Sequence, residues 1–226
     1  MKRTKLADRK LPDYTKGEEI FNMTSHIVGG GFGVIALILC IIVAGVKGNA
    51  LGVISSIIYG LSLITLYTMS SVYHGLRPGM GKKVLQVLDH CTIYFLIAGS
   101  YTPIVLGPML RTYPAIAWIL FGIVWGCAVI ACVLTAIDLK KYNVLSMICY
   151  LTMGWCVIFF IRQTFEVMTF TGGMLLLIGG IAYTIGAVLY GIGSKVKYMH
   201  SVFHLFILLG SVLHFFAIIL YALPIR

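Results

Sequence analysis

Two histidines one helical turn apart, His200-x-x-x-His204, open an apolar stretch near the C-terminal end of the sequence. At that spacing both imidazoles project from one helix face, a natural geometry for chelating a single ion. More than a hundred residues earlier, Ser70-x-x-x-His74 closes one apolar stretch and Asp89-His90 opens the next. A polar group placed at the end of such a stretch is costly unless it has a partner or a purpose. With His74 as a third nitrogen ligand, the set offers three histidines and one open position. That is the ligand count of a catalytic zinc, since structural zinc usually takes four protein ligands. Asp89 and Ser70 are the candidate catalytic residues: Asp89 as a general base or as the group that orients a histidine, Ser70 one turn from His74 on the same face. No His-Glu-x-x-His occurs in the chain, so a zincin mechanism is not supported.

The other three histidines read differently. Glu19, Asn22 and His26 are spaced by three and four, which puts them on one face of a helix and makes them candidates to support the ligands from behind. His90 points about 100° away from Asp89 around a helix and is expected to face a neighbour or the membrane interface rather than the same ion. His214 lies ten residues past His204, roughly 15 Å deeper at the helical rise, and is expected to make a buried interhelical hydrogen bond.

Bringing these residues together requires spans that end at one membrane face. The chain has 226 residues, 60% hydrophobic and 11% charged, too apolar for a soluble domain. Seven apolar stretches are long enough to cross the hydrocarbon layer as helices, near 26–46, 51–74, 84–106, 114–137, 143–161, 168–192 and 200–223. The fold class expected is therefore an all-α membrane protein, a seven-transmembrane helix bundle occupying 17–226 behind a mobile cytoplasmic tail at 1–16. Lys2, Arg3, Lys5, Arg9, Lys10, Lys16, Arg77, Lys82, Lys83, Lys140, Lys141, Lys195 and Lys197 fall on one side of such a bundle. Only Lys47, Arg111, Arg162 and Arg226 fall on the other. Positively charged loops resist translocation, so the N-terminus is expected in the cytoplasm and the C-terminus outside. That orientation puts His74, Asp89, His200 and His204 in the cytoplasmic leaflet.

Several alternatives are disfavoured by the same composition. The net charge of +10 is spread along one membrane face rather than gathered on a groove-reading element, so no nucleic acid is expected; anionic lipid is the natural counterpart of the basic residues. The six cysteines, Cys40, Cys91, Cys127, Cys132, Cys149 and Cys156, lie in spans at spacings that match no zinc finger or disulfide framework, and read as small apolar filler. The first apolar run starts late and follows Asp8, Asp13, Glu18 and Glu19, which argues against a cleaved signal peptide. Gly29-x-x-x-Gly33, Gly172-Gly173 and Gly179-Gly180 read as close helix contacts rather than phosphate loops. Pro103, after Gly99-Ser100-Tyr101-Thr102, is expected to kink the third span, with a nearby hydroxyl meeting the freed carbonyl.

Glu19-x-x-Asn22-x-x-x-His26, Ser70-x-x-x-His74, Leu88-Asp89-His90, Gly99-Ser100-Tyr101-Thr102-Pro103 and His200-x-x-x-His204 together carry a family resemblance. From about Glu18 to its C-terminal end the chain resembles the bacterial hemolysin III family. That family is related to the progestin and adipoQ receptors, which include the adiponectin receptors, and to the wider superfamily containing the alkaline ceramidases. The resemblance implies a seven-helix bundle in the bacterial plasma membrane, with an intramembrane Zn2+ on its cytoplasmic side held by His74, His200 and His204. It implies that Asp89 contacts the zinc through water and that Ser70 lies close by. The short N-terminal tail and external loops depart from the eukaryotic receptors, so membrane lipids rather than a protein hormone are the expected partners.

Three functions follow as expectations. The first is an intramembrane zinc hydrolase of lipid amide or ester bonds, of the ceramidase kind. The second is a pore-forming hemolysin or channel, although no span carries a continuous polar stripe that would line a water-filled path. The third is a sensor of membrane composition in which zinc is structural.

Overall fold

The structure, a computed structural model, describes residues 3–47, 49–193 and 196–224. Lys2, Lys195 and Arg226 of the charge distribution lie outside the described residues. Among the described residues the chain is helical, with no strand. The main elements are α1 (Lys16–Val46), α2 (Ala50–Gly75), α3 (Met80–Ile104), α4 (Pro114–Ile137), α5 (Asn143–Trp155), α6 (Ile161–Gly193) and α7 (Met199–Ala217). Among the described residues, six helical stretches are long and apolar enough to cross a membrane: α1, α2, α3 with its continuation to Thr112, α4, the run Asn143–Gly193, and α7 with its continuation to Ala222.

Helix starts follow local chemistry. Thr15 and Glu18 form a reciprocal capping box at α1, the Glu18 amide donating to Thr15 Oγ1 at 3.3 Å and the Thr15 amide to Glu18 Oε2 at 2.9 Å. Asn49 caps α2 by accepting from the Gly52 amide at 2.8 Å. Pro114 occupies the first turn of α4, where its missing N–H leaves nothing unpaired.

Burial is inverted relative to a soluble protein. The α1 residues Ile27, Val28, Ile35, Ile38 and Ile42 are exposed, whereas Asn22, His26, Ser55, Ser56, Ser70 and Ser211 are buried. Polar side chains are kept inside, beside an apolar core that includes Leu63, Met109 and Ile218, while many apolar ones face outward, as a hydrocarbon solvent allows. Small residues set the closest approaches: a Cβ at Gly29 would lie 2.5 Å from the Tyr67 ring of α2, and one at Gly172 would lie 2.8 Å from Tyr221. All six cysteines are unpaired among the described residues.

Two expectations meet a more detailed outcome. The stretches expected at 143–161 and 168–192 are carried by one 51-residue helical run without an intervening loop. Helical hydrogen bonding passes through a 3-10 turn at Cys156–Phe160, within the first of them, and helical geometry breaks at Thr169, within the second. The run is nevertheless folded. Thr169 has φ 60° and ψ 170°, a costly conformation for a β-branched residue, and Trp155 Nε1 donates to Thr184 Oγ1 at 2.9 Å. A straight helix would separate Trp155 and Thr184 by roughly 44 Å. In the third span α3 continues through Pro103 into a π-helical stretch, Val105–Met109, where Gly107 leaves helical geometry. The Ser100 and Thr102 hydroxyls donate to the carbonyls of Ile97 and Ala98.

Candidate metal centre

Four helix ends meet at one pole of the bundle. α1 contributes Glu19, Asn22 and His26 from its first three turns, α2 contributes Ser70 and His74 from its last two, α3 contributes Lys82 and Asp89, and α7 opens with His200 and His204. The start of α7 is set by Tyr198, a non-glycine residue at φ 63° whose amide donates to Glu18 Oε1 at 2.7 Å. This contact ties the capping box of α1 to the residue that aims His200.

His74, His200 and His204 are all buried, and one ring nitrogen from each lies within 4.8 Å of the others. The Nε2 atoms of His200 and His204 face each other at 3.1 Å. A tetrahedral ion with metal–nitrogen distances of about 2.0–2.1 Å would place its donors roughly 3.3 Å apart. His74 shows which of its nitrogens is available. Its Nδ1 lies 2.6 Å from Glu19 Oε2, so that nitrogen carries the proton and Nε2 keeps a lone pair. That Nε2 is buried and has no hydrogen-bond partner. An orphaned imidazole lone pair converging with two others is the donor set a divalent metal fits, and the three histidines can hold one.

The supporting residues form a chain behind the triad. Glu19 shares its second oxygen with Lys82 Nζ at 2.6 Å, and Lys82 also donates to the Leu76 carbonyl at 3.0 Å. His26 stacks on His204 with ring centroids 3.7 Å apart and planes at 18°, and edges the Tyr67 ring at 5.0 Å. Neither ring nitrogen of His26 nor the Asn22 amide group has a side-chain partner. Asp89 bonds to the Ser70 hydroxyl, with His74 and His90 as nearby basic groups. His90 is engaged elsewhere, Nδ1 with the Gln86 carbonyl at 2.8 Å and Nε2 with the Tyr190 hydroxyl at 2.9 Å. His214 donates across to the Leu176 carbonyl of α6 at 3.2 Å, an interhelical bond as its depth suggested.

Two residues at the site had no recognisable signal in the sequence. Lys82 counts there only as one more basic residue, and its burial against Glu19 depends on how α1 and α3 approach. Tyr14, in the segment before α1, stacks on His200 with centroids 4.9 Å apart and planes at 25°. Burial pushes its phenol well above the usual range, so it stays neutral against the His200 ring. The same segment is fastened further along: the Thr4 amide donates to Asp138 Oδ2 at 2.7 Å, Arg3 Nε to the Ile137 carbonyl at 2.9 Å, and Lys83 to the Ala7 carbonyl.

A cavity of about 130 Å³ inside the bundle is lined in part by His200 and His204. His26, Ser70, Asp89, His200 and His204 line one end, apolar residues such as Leu96, Ile97 and Ile207 the middle, and Tyr183, Thr184 and His214 the far end. Such a site is suited to a molecule with a polar head and an apolar chain.

A family model described as "Haemolysin-III related" matches residues 14–215. The chain is 36% identical over 211 residues to "Hemolysin-3" of Bacillus cereus, covering 92% of this chain and 93% of that one. It is 35% identical over 212 residues to "Hemolysin-3 homolog" of Bacillus subtilis (strain 168), covering 94% and 98%. It is also 28% identical over 173 residues to "Monocyte to macrophage differentiation factor" of Homo sapiens, covering 73% and 69%.

Proposed function

The chain belongs to the haemolysin-III-related family, a multi-pass protein of a bacterial membrane, and from that premise we propose that it is a zinc-dependent hydrolase of lipid amide or ester bonds. The observation that carries the reading is the convergence of three histidine nitrogens beside a largely apolar cavity, whose lining includes His200, His204 and Asp89. An all-imidazole donor set suits zinc among the common divalent metals. When bound, zinc supplies Lewis acidity to a substrate carbonyl and lowers the pKa of water to about 7.

The chain's own residues do the remaining work. Glu19 keeps the proton on Nδ1 of His74 and so leaves Nε2 as a donor, while Lys82 holds Glu19 in place. Asp89, steadied by Ser70, is the group to take a proton from the attacking water and return it to the departing nitrogen or oxygen. Leu96, Ile97 and Ile207 receive the acyl chain and keep bulk water from it. His26 backs the His204 ring from α1.

The membrane placement belongs to the same reading. The run Asn143–Gly193 is two crossings folded at Thr169, which makes seven in all; the Trp155–Thr184 bond supports it, as does a straight length of roughly 76 Å against a hydrocarbon layer of about 30 Å. The Lys and Arg distribution then sets the N-terminus and the metal centre on the cytoplasmic side and the C-terminus outside.

The test is fatty-acid release by protein reconstituted in liposomes containing a ceramide or a phospholipid. Wild type is expected to release fatty acid, and Asp89→Asn to lose about 100-fold or more in rate while keeping its zinc. A zinc-loaded wild type that releases none from either lipid class would remove the hydrolase reading. Leakage of the same liposomes that persists without the three histidines would favour a pore instead.

A further inference from the structure

The segment before α1 touches the ends of four helices at the pole that carries the metal centre. On one side Arg3 Nε donates to the Ile137 carbonyl at 2.9 Å and the Thr4 amide to Asp138 Oδ2 at 2.7 Å, both where α4 ends. Lys83, in the first turn of α3, donates to the Ala7 carbonyl between them and the site. On the other side the Tyr14 ring lies 4.9 Å from the His200 ring and 5.7 Å from the His74 ring, centroid to centroid. His200 is the second residue of α7 and His74 the last but one of α2, so Tyr14 meets both ligands where their helices stop. From Thr15 onward the chain is fixed, by the capping box and by the Tyr198 amide that donates to Glu18.

Burial and polarity make this segment a barrier that can open. His74, His200 and His204 are 2%, 6% and 1% exposed, so an ion reaches them only after something moves. A hydrated divalent cation does not pass through hydrocarbon, nor past Leu96, Ile97 and Ile207 in the cavity, because giving up water among apolar groups is too costly. The polar route is the pole. The segment lying there is held by hydrogen bonds at separate points, and Arg9 within it is buried with Nε and Nη1 unpartnered, which offsets part of what those bonds contribute. Such a segment opens locally while the helices beneath it stay folded.

We infer that residues 3–14 form a gate on the metal centre, undocking to admit or release the ion and closing with the Tyr14 ring against His200. The inference rests on reading His74, His200 and His204 as zinc ligands. Tyr14 meets His200 with its ring face, the planes 25° apart, and so covers the ligand without replacing it. A gate stands on the path in both directions. Weakening it therefore quickens capture and release together and leaves the equilibrium affinity as it was, whereas a segment that merely held the ligands in place would lose affinity when weakened.

The experiment measures zinc uptake by the metal-free full chain in lipid nanodiscs, and zinc release to excess chelator, for wild type, Asp138→Asn and Tyr14→Ala. Asp138→Asn removes the charge that fastens Thr4 on the α4 side and should speed both rates about five- to tenfold, as expected when a charge-assisted hydrogen bond becomes a neutral one. Tyr14→Ala removes the covering ring and should speed both at least as much. Affinity should stay within about twofold of wild type in each. Unchanged rates in either variant that folds, with zinc still bound, would overturn the gate and leave the metal centre standing. Faster release without faster uptake would also overturn it, because the segment would then be holding the ligands. Should one variant fail to fold, the other decides by the same criteria. A wild type that takes up no zinc would overturn the metal centre and the gate together.

Discussion

Glu19 stands between two basic groups, His74 Nδ1 and Lys82 Nζ, each 2.6 Å from one of its oxygens. Replacing it with glutamine keeps the shape and removes the charge that fixes the His74 tautomer. Glu19→Gln is therefore expected to weaken zinc affinity about 10- to 100-fold, as read by competition against a chelator of known affinity. An unchanged affinity would mean that the His74 ring is fixed by packing alone. At this scale the sequence was most informative where spacing and position coincide. His200 and His204 share a helix face by their i, i+4 register, and His74 and Glu19 fall at span ends of matching depth. Lys82 and Tyr14 were not legible, because their roles come from how one helix end approaches another and no periodicity records that.

Elements show the same division. The starts of α1, α2 and α4 follow from Thr15, Asn49 and Pro114, residues with local chemistry that ends or begins a helix. The fold at Thr169 does not follow from any such residue: a threonine at positive φ is imposed by the packing of Trp155 against Thr184 and of Gly172 against Tyr221. The segment before α1 is held by a carboxylate. The Thr4 and Lys141 amides donate to Asp138, with Arg9 nearby, and hold its carboxyl below the usual carboxylate range. A depressed carboxylate stabilises the docked arrangement above the undocked pKa, near 3.9, and that contribution is lost as pH falls through the docked value. Hydrogen-exchange protection of Thr4, corrected for intrinsic rate, should thus hold from neutral pH down to about pH 4 and fall below it. In Asp138→Asn the protection should already be reduced at pH 7, and a full wild-type profile in that variant would refute the role of Asp138.

For the whole molecule, burial of polar residues and exposure of apolar ones identify hydrocarbon as the solvent, and composition alone foretold it. Orientation rests on where lysine and arginine fall. A reporter active only outside the cytoplasm should be active when fused after the C-terminus and silent when fused to the N-terminus; the reverse pattern, or activity at both or neither, would overturn the proposed topology. The bundle's purpose in this account is to bring His74, His200 and His204 onto one ion from helices far apart in the chain. Metal content of the purified protein tests that most directly. Wild type and His90→Ala should each carry about one zinc per chain, and His74→Ala, His200→Ala and His204→Ala should each carry almost none. Equal zinc in all five proteins would contradict the assignment.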